Sequence, residues 1–122
     1  MPRKHAHESY DCGHPYSCPV EATLDVIGGK WKGVILYHLA ETKRFNELQR
    51  LIPGVNRRML TLQLRDLERD GLVHREVYRE VPPKVEYSLT EFGQTLSPLI
   101  LQMRDWGAAY AQRIQALGKA AD

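Results

Sequence analysis

No apolar run in this chain approaches the roughly 18 residues that a membrane-crossing helix requires, so the sequence predicts no membrane span. Cysteine is scarce: two residues in 122 cannot build the disulfide framework of a small secreted domain. The segment from Met1 to Tyr10 is polar and rich in histidine, without the apolar stretch of a signal peptide. The expected location is therefore the cytoplasm. Catalytic signatures are missing too. There is no glycine-rich phosphate loop, no HExxH, no nucleophile elbow and no pair of carboxylates placed to work together. The chain reads as a non-enzyme that needs no cofactor, without repeats or low-complexity segments.

What remains is an ordinary globular composition, 43% apolar and 26% charged, in a length that suits one domain with a modest core. The net charge of +2 conceals an uneven distribution. From Lys43 to Lys84 there are ten basic residues and six acidic ones, a local charge of +4; the remainder holds seven against nine, or −2. Such asymmetry suits a protein with one face for an anionic polymer.

Residues 1–17 have neither helical nor strand period and contain Gly13 and Pro15, which predicts a flexible arm. A domain over 18–112 follows, then a helix end and tail over 113–122. Pro19 suits the first position of a helix, where its missing N–H would be unpaired anyway. Val20, Leu24 and Ile27 recur at helical spacing before Gly28-Gly29, and Trp31, Ile35 and Leu39 mark a second helix. A short link over Thr42 to Arg44 leads to a third, carried by Phe45, Leu48 and Leu51 or Ile52, with Asn46 and Gln49 resembling a capping box. Pro53-Gly54 ends it, Asn56 caps a fourth helix running to Asp70, and Gly71 stops that one. Two helices this close together have helix-turn-helix spacing.

Val73–Tyr78 and Val85–Leu89 read as strands, joined by a loop from Arg79 to Lys84 that Pro82-Pro83 should stiffen and extend. Thr90 caps a last helix with one long apolar stripe: Phe92, Leu96, Leu99, Met103, Trp106, Tyr110 and Leu117. Pro98 should kink it. The expected fold is mainly α with a small β-hairpin wing.

On a helical wheel, Leu60, Leu64 and Leu67 of the fourth helix share one face and belong to the core, while Arg58, Arg65 and Arg69 fall within about 40° of one another on the opposite side. A basic helix of this kind fits the major groove of DNA. Arg58 and Thr61, flanked by Leu62, lie early in the helix, where base edges are usually reached; Arg65 and Arg69 lie further along, toward phosphates, and Asn56 and Arg57 at the helix start join them as DNA-contact candidates. Arg79, Pro82, Pro83 and Lys84 would bring the loop to the neighbouring backbone or minor groove, and Lys43 and Arg44 would anchor the preceding helix. The alternatives are a solvated charged face and a winged-helix module that binds protein.

In matching order over residues 18–110, several runs resemble the HxlR family of bacterial winged-helix transcriptional regulators, related to MarR. They are Cys18-Pro19-Val20, Ile27-Gly28-Gly29-Lys30-Trp31, Arg44-Phe45-Asn46-Glu47-Leu48, Met59-Leu60-Thr61, Leu64-Arg65-Asp66-Leu67-Glu68, Gly71-Leu72-Val73, Val81-Pro82-Pro83-Lys84-Val85-Glu86-Tyr87 and Leu89-Thr90. The resemblance implies a winged helix-turn-helix fold and a homodimer formed through the first and last helices. It also implies binding to a pseudo-palindromic DNA operator, usually repressing a nearby gene, and a cysteine at position 18 that several members use to sense oxidants or electrophiles. Leu62 departs from the polar residue expected there. If it faces the groove it meets a thymine methyl; if not, the helix phase is off.

The stripe from Phe92 to Leu117 is longer than one small domain can cover, so part of it should bury against a second copy. Leu24, Leu99, Met103, Trp106 and Tyr110 are the candidates for that contact; the alternative is a helix folded back on its own core. Cys18 precedes Pro19 at a helix N-cap, where partial positive charge and free N–H groups favour a thiolate, with Lys30 or Lys32 as possible helpers. The other reading is a small residue chosen for packing. Cys12 would either resolve an oxidised Cys18 as a disulfide or be a plain tail thiol. His5, His7, Cys12, His14 and Cys18 also make a metal- or ligand-sensing regulator an alternative, although their spacing matches no established metal pattern.

Overall fold

A computed structural model describes residues 18–118, and the arm predicted over 1–17 lies outside the described residues. Helix α1 (Pro19–Ile27) has Cys18 as its N-cap and proline in its first turn, as the sequence predicts; α2 (Lys32–His38) follows. Strand β1 (Lys43–Arg44) leads directly into α3 (Phe45–Leu51) and then α4 (Arg57–Arg69). Strands β2 (Val73–Tyr78) and β3 (Lys84–Leu89) precede α5 (Glu91–Gln94) and α6 (Ser97–Ala116).

The link expected at Thr42 to Arg44 is in part a strand. Lys43 pairs with Tyr87 and Arg44 with Glu86, so the hairpin becomes a three-stranded antiparallel sheet of order β1-β3-β2. Two residues are too few to show a period-2 pattern, which is why the sequence hid this strand. The capping arrangement of α3 also shifts by two residues: the Arg44 amide donates to Glu47 Oε1 at 2.7 Å. Asn46 and Gln49 serve the turn instead, Gln49 Nε2 donating to the Val55 carbonyl at 3.4 Å.

The expected kinked last helix is two helices. Thr90 caps α5, its hydroxyl accepting from the Gly93 amide at 2.9 Å, and Pro98 stands in the first turn of α6 rather than inside a continuous helix. A proline there loses no hydrogen bond, whereas in a helix interior it would clash with the carbonyl four residues back. The wing loop is shorter than expected, Arg79 to Pro83, because Lys84 already pairs with Tyr78.

The core gathers Ile35 from α2 and Leu39 at its C-cap, Leu48 from α3, Leu60, Leu64 and Leu67 from α4, and Leu72 and Val73. Among the described residues no polar or charged residue is buried. The C-terminus of α4 closes in a Schellman motif: the Leu72 amide donates to Leu67 O and the Gly71 amide to Glu68 O, both at 3.0 Å, with Gly71 at φ 82°. Thr90 fastens this turn to α5, donating its hydroxyl to Gly71 O at 2.6 Å. Gly93 packs so closely that a Cβ there would lie 2.1 Å from Leu72 O, so no larger residue fits without moving backbone. These contacts fix the orientation of α4 against the sheet.

Candidate nucleic-acid interface

Helix α4 begins at Asn56, whose Oδ1 accepts from the Met59 amide at 2.8 Å and satisfies one of the unpaired N–H groups of the first turn. Its two faces divide as the leucine spacing requires. Leu60, Leu64 and Leu67 are 0%, 2% and 0% exposed, while Arg57, Arg58, Leu62, Arg65 and Arg69 are exposed. Three buried leucines hold the helix by one side and oblige the arginine side to face out.

The arginines are not equivalent. Arg58 and Arg65 make no hydrogen bond or ion pair among the described residues. Arg69 is engaged within the helix: its Nη2 lies 3.0 Å from Asp66 Oδ1, and Lys32 Nζ lies 3.4 Å from the other oxygen of that carboxylate. Arg57 is also engaged. Its guanidinium donates to Asn46 Oδ1 at 3.1 Å and lies over the Phe45 ring. Thr61 donates its hydroxyl to the Arg57 carbonyl at 2.8 Å, which leaves it only as an acceptor toward a ligand. Leu62 shares one concave surface with Arg57, Arg58, Thr61 and Arg65, so the predicted helix phase is correct and Leu62 faces with the arginines.

At the wing, Arg79, Val81, Pro82 and Pro83 are exposed, Val81 almost fully. Lys84 is turned onto its own hairpin. Its ammonium sits 4.4 Å from the centre of the Tyr78 ring, within 4.0 Å of Glu80 and 3.8 Å of Glu86. At the start of α3, Lys43 lies 3.5 Å from Glu41 and Arg44 is exposed.

Arg75 was missed by the sequence reading. With Arg57 and Arg65 it lines a cleft of about 460 Å³ between α4 and the sheet, floored by Phe45, Leu64 and Tyr87. The signal was present in the strand period: Val73 is buried, so Arg75, two residues on, shares its face.

Away from this surface, Val20 and Leu24 of α1 and Leu99, Met103, Trp106 and Tyr110 of α6 are exposed. Trp106 and Tyr110 stack with ring centroids 5.3 Å apart. A cavity of about 400 Å³ opens between α2 and α6, lined by Ile27, Val34, Tyr37, Ile100, Met103 and Arg104. Ile100, absent from the predicted stripe, is the residue that buries α6. Cys18 is exposed. Lys30 lies over the Trp31 ring and Lys32 pairs with Asp66, so each has a partner other than Cys18. Cys12, His5, His7 and His14 lie outside the described residues, and among the described residues no group of three or more metal-ligating side chains occurs. Likewise, none of the described helices is long and apolar enough to cross a membrane.

The family model for HxlR-like helix-turn-helix proteins matches residues 26–115. The chain therefore belongs to that family and is a transcriptional regulator of the helix-turn-helix type. It is 68% identical over 101 residues to the uncharacterized HTH-type transcriptional regulator YdeP of Bacillus subtilis (strain 168), covering 82% of this chain and 79% of YdeP. The redox regulator HypR has the same fold. Its oxidized form is 68% identical with a TM-score of 0.73 over 75% of this chain and 96% of HypR. The reduced form gives 62% and 0.76 over 81% and 99%. A structure assigned to the MarR family, from Enterococcus faecalis V583, is 39% identical with a TM-score of 0.70 over 86% of this chain and 96% of that one.

Proposed function

We propose that this protein is a homodimeric repressor that binds a pseudo-palindromic DNA operator through α4 and the wing and responds to oxidants or electrophiles through Cys18. One observation carries the DNA-binding reading: Arg58 and Arg65 are exposed, without partners among the described residues, on a helix whose other face is locked into the core. Free guanidinium groups on a rigid helix suit guanine edges and phosphates. Arg75 and Arg79 add positive charge from the sheet and wing tip, and Arg44 adds it from the base of α3.

Dimerisation is supported by the unpaired apolar surface of α1 and α6, where Trp106 is 68% exposed. Burying such a ring against a second copy is favourable by the area it removes from water. A two-fold dimer would set two copies of α4 about 34–36 Å apart, one turn of DNA. The redox reading is supported by the likeness to HypR, whose name is that of a redox regulator, and by an exposed thiol at the end of α1. A covalent change there would alter the surface on which the second copy packs and, with it, the spacing of the α4 pair.

Electrophoretic mobility shifts with duplex DNA over a range of salt test the reading. Affinity should fall steeply as salt rises, because bound arginines release counterions from phosphates. Absence of binding at low salt would overturn it.

A further inference from the structure

We infer that Leu62 reads the C5-methyl group of a thymine in each operator half-site. The inference rests on the DNA-binding proposal above and names one base that the protein would select.

Leu62 stands one turn after Arg58 and nearly one turn before Arg65, a spacing that sets these three on one stripe of α4, with Thr61 at the edge of the same concave surface. It is 43% exposed, and the three leucines that anchor the helix lie on the other face, so Leu62 does not hold the fold. Flanking it, Arg58 and Arg65 have no protein partners among the described residues. The stripe thus presents donor, apolar patch, donor in sequence along the groove-facing side.

Base-edge chemistry then narrows what the patch can meet. In the major groove, guanine, adenine and cytosine present hydrogen-bonding atoms that a leucine would desolvate without replacing their partners. Thymine alone adds a methyl group, and contact with it removes apolar surface from both sides. A leucine set between two arginines therefore favours a thymine flanked by guanines that the arginines take up. A lone exposed leucine is common on protein surfaces; here the arginines on either side give it a ligand-facing position.

The full-length protein should first be used to select its preferred duplex from a random library. Each thymine of that duplex is then replaced singly by deoxyuridine, which removes the methyl and leaves every hydrogen-bonding atom. In each half-site one position should respond, weakening wild-type binding about fourfold, the share of one buried methyl. Leu62→Ala should lose affinity for the thymine duplex and become indifferent to uracil at that position. Its thermal unfolding should match the wild type, since the side chain is outside the core. Wild-type binding that ignores uracil at every position would overturn the inference, as would a Leu62→Ala variant with undiminished methyl sensitivity. A library that yields no preferred sequence is a different failure and would remove the specific DNA-reading proposal itself.

Discussion

The guanidinium of Arg57 lies 4.6 Å from the centre of the Phe45 ring and donates to Asn46 Oδ1 at 3.1 Å, fastening the first residue of α4 to the first turn of α3. The two helices of the helix-turn-helix are thus joined by a planar cation as well as by their leucines. Arg57→Ala should lower the stability of the fold by about 0.5–1 kcal/mol in chemical denaturation. Arg57→Lys should recover only part of that loss, because an ammonium lacks the planar fork. Unchanged unfolding in both variants would assign Arg57 to ligand contact alone.

Trp106 and Tyr110 stack face to face on an exposed part of α6. If this surface pairs two copies, Trp106→Glu should convert the protein to a folded monomer in sedimentation and weaken binding to a two-half-site duplex far more than to random DNA. A wild-type protein that sediments as a monomer at every concentration contradicts the dimer.

His38 has a pKa below its ordinary 6.5, first because it is partly desolvated and second because Lys43 is nearby. Between the lowered folded value and 6.5 the unfolded chain binds more protons than the folded one, so stability falls as the pH drops below 6.5. Thermal denaturation at about pH 7.5 and about pH 5.5 reads this directly. The loss on acidification should be smaller in His38→Asn than in the wild type, and an equal loss in both would place the effect elsewhere.

Cys18 is the thiol that the described chain offers to solvent. Treatment with diamide or a quinone should add mass at Cys18 and reduce operator affinity, while Cys18→Ser should bind DNA before and after treatment alike. Full modification of Cys18 with unaltered binding would end the switch proposal and leave the DNA-binding reading intact.

The parts of the fold that were legible in the sequence were those with a long period or a strong stop. Leu60, Leu64 and Leu67 recur over the length of α4, and Gly71 must end it because its backbone is left-handed. The wing strands showed through the alternation of Val85, Tyr87 and Leu89. What was hidden depended on neighbours distant in sequence. Strand β1 exists only because β3 lies beside it, and Ile100 is buried while Leu99 and Met103 are not because α6 meets the core at one point. The division of the arginines into engaged and free was only partly legible. Asp66 and Arg69 stand at i,i+3 spacing on one helix, a pairing that the charge pattern offers, whereas the hold of Phe45 and Asn46 on Arg57 depends on how α3 and α4 meet in space.

The reach of Arg58 into DNA is tested most directly by equilibrium binding of the wild type and Arg58→Ala to a selected operator and to a random duplex, at matched salt. An outward arginine reading a base edge predicts a loss of about 1–3 kcal/mol on the operator and a much smaller one on random DNA. Equal affinity for the two duplexes in both proteins would contradict it.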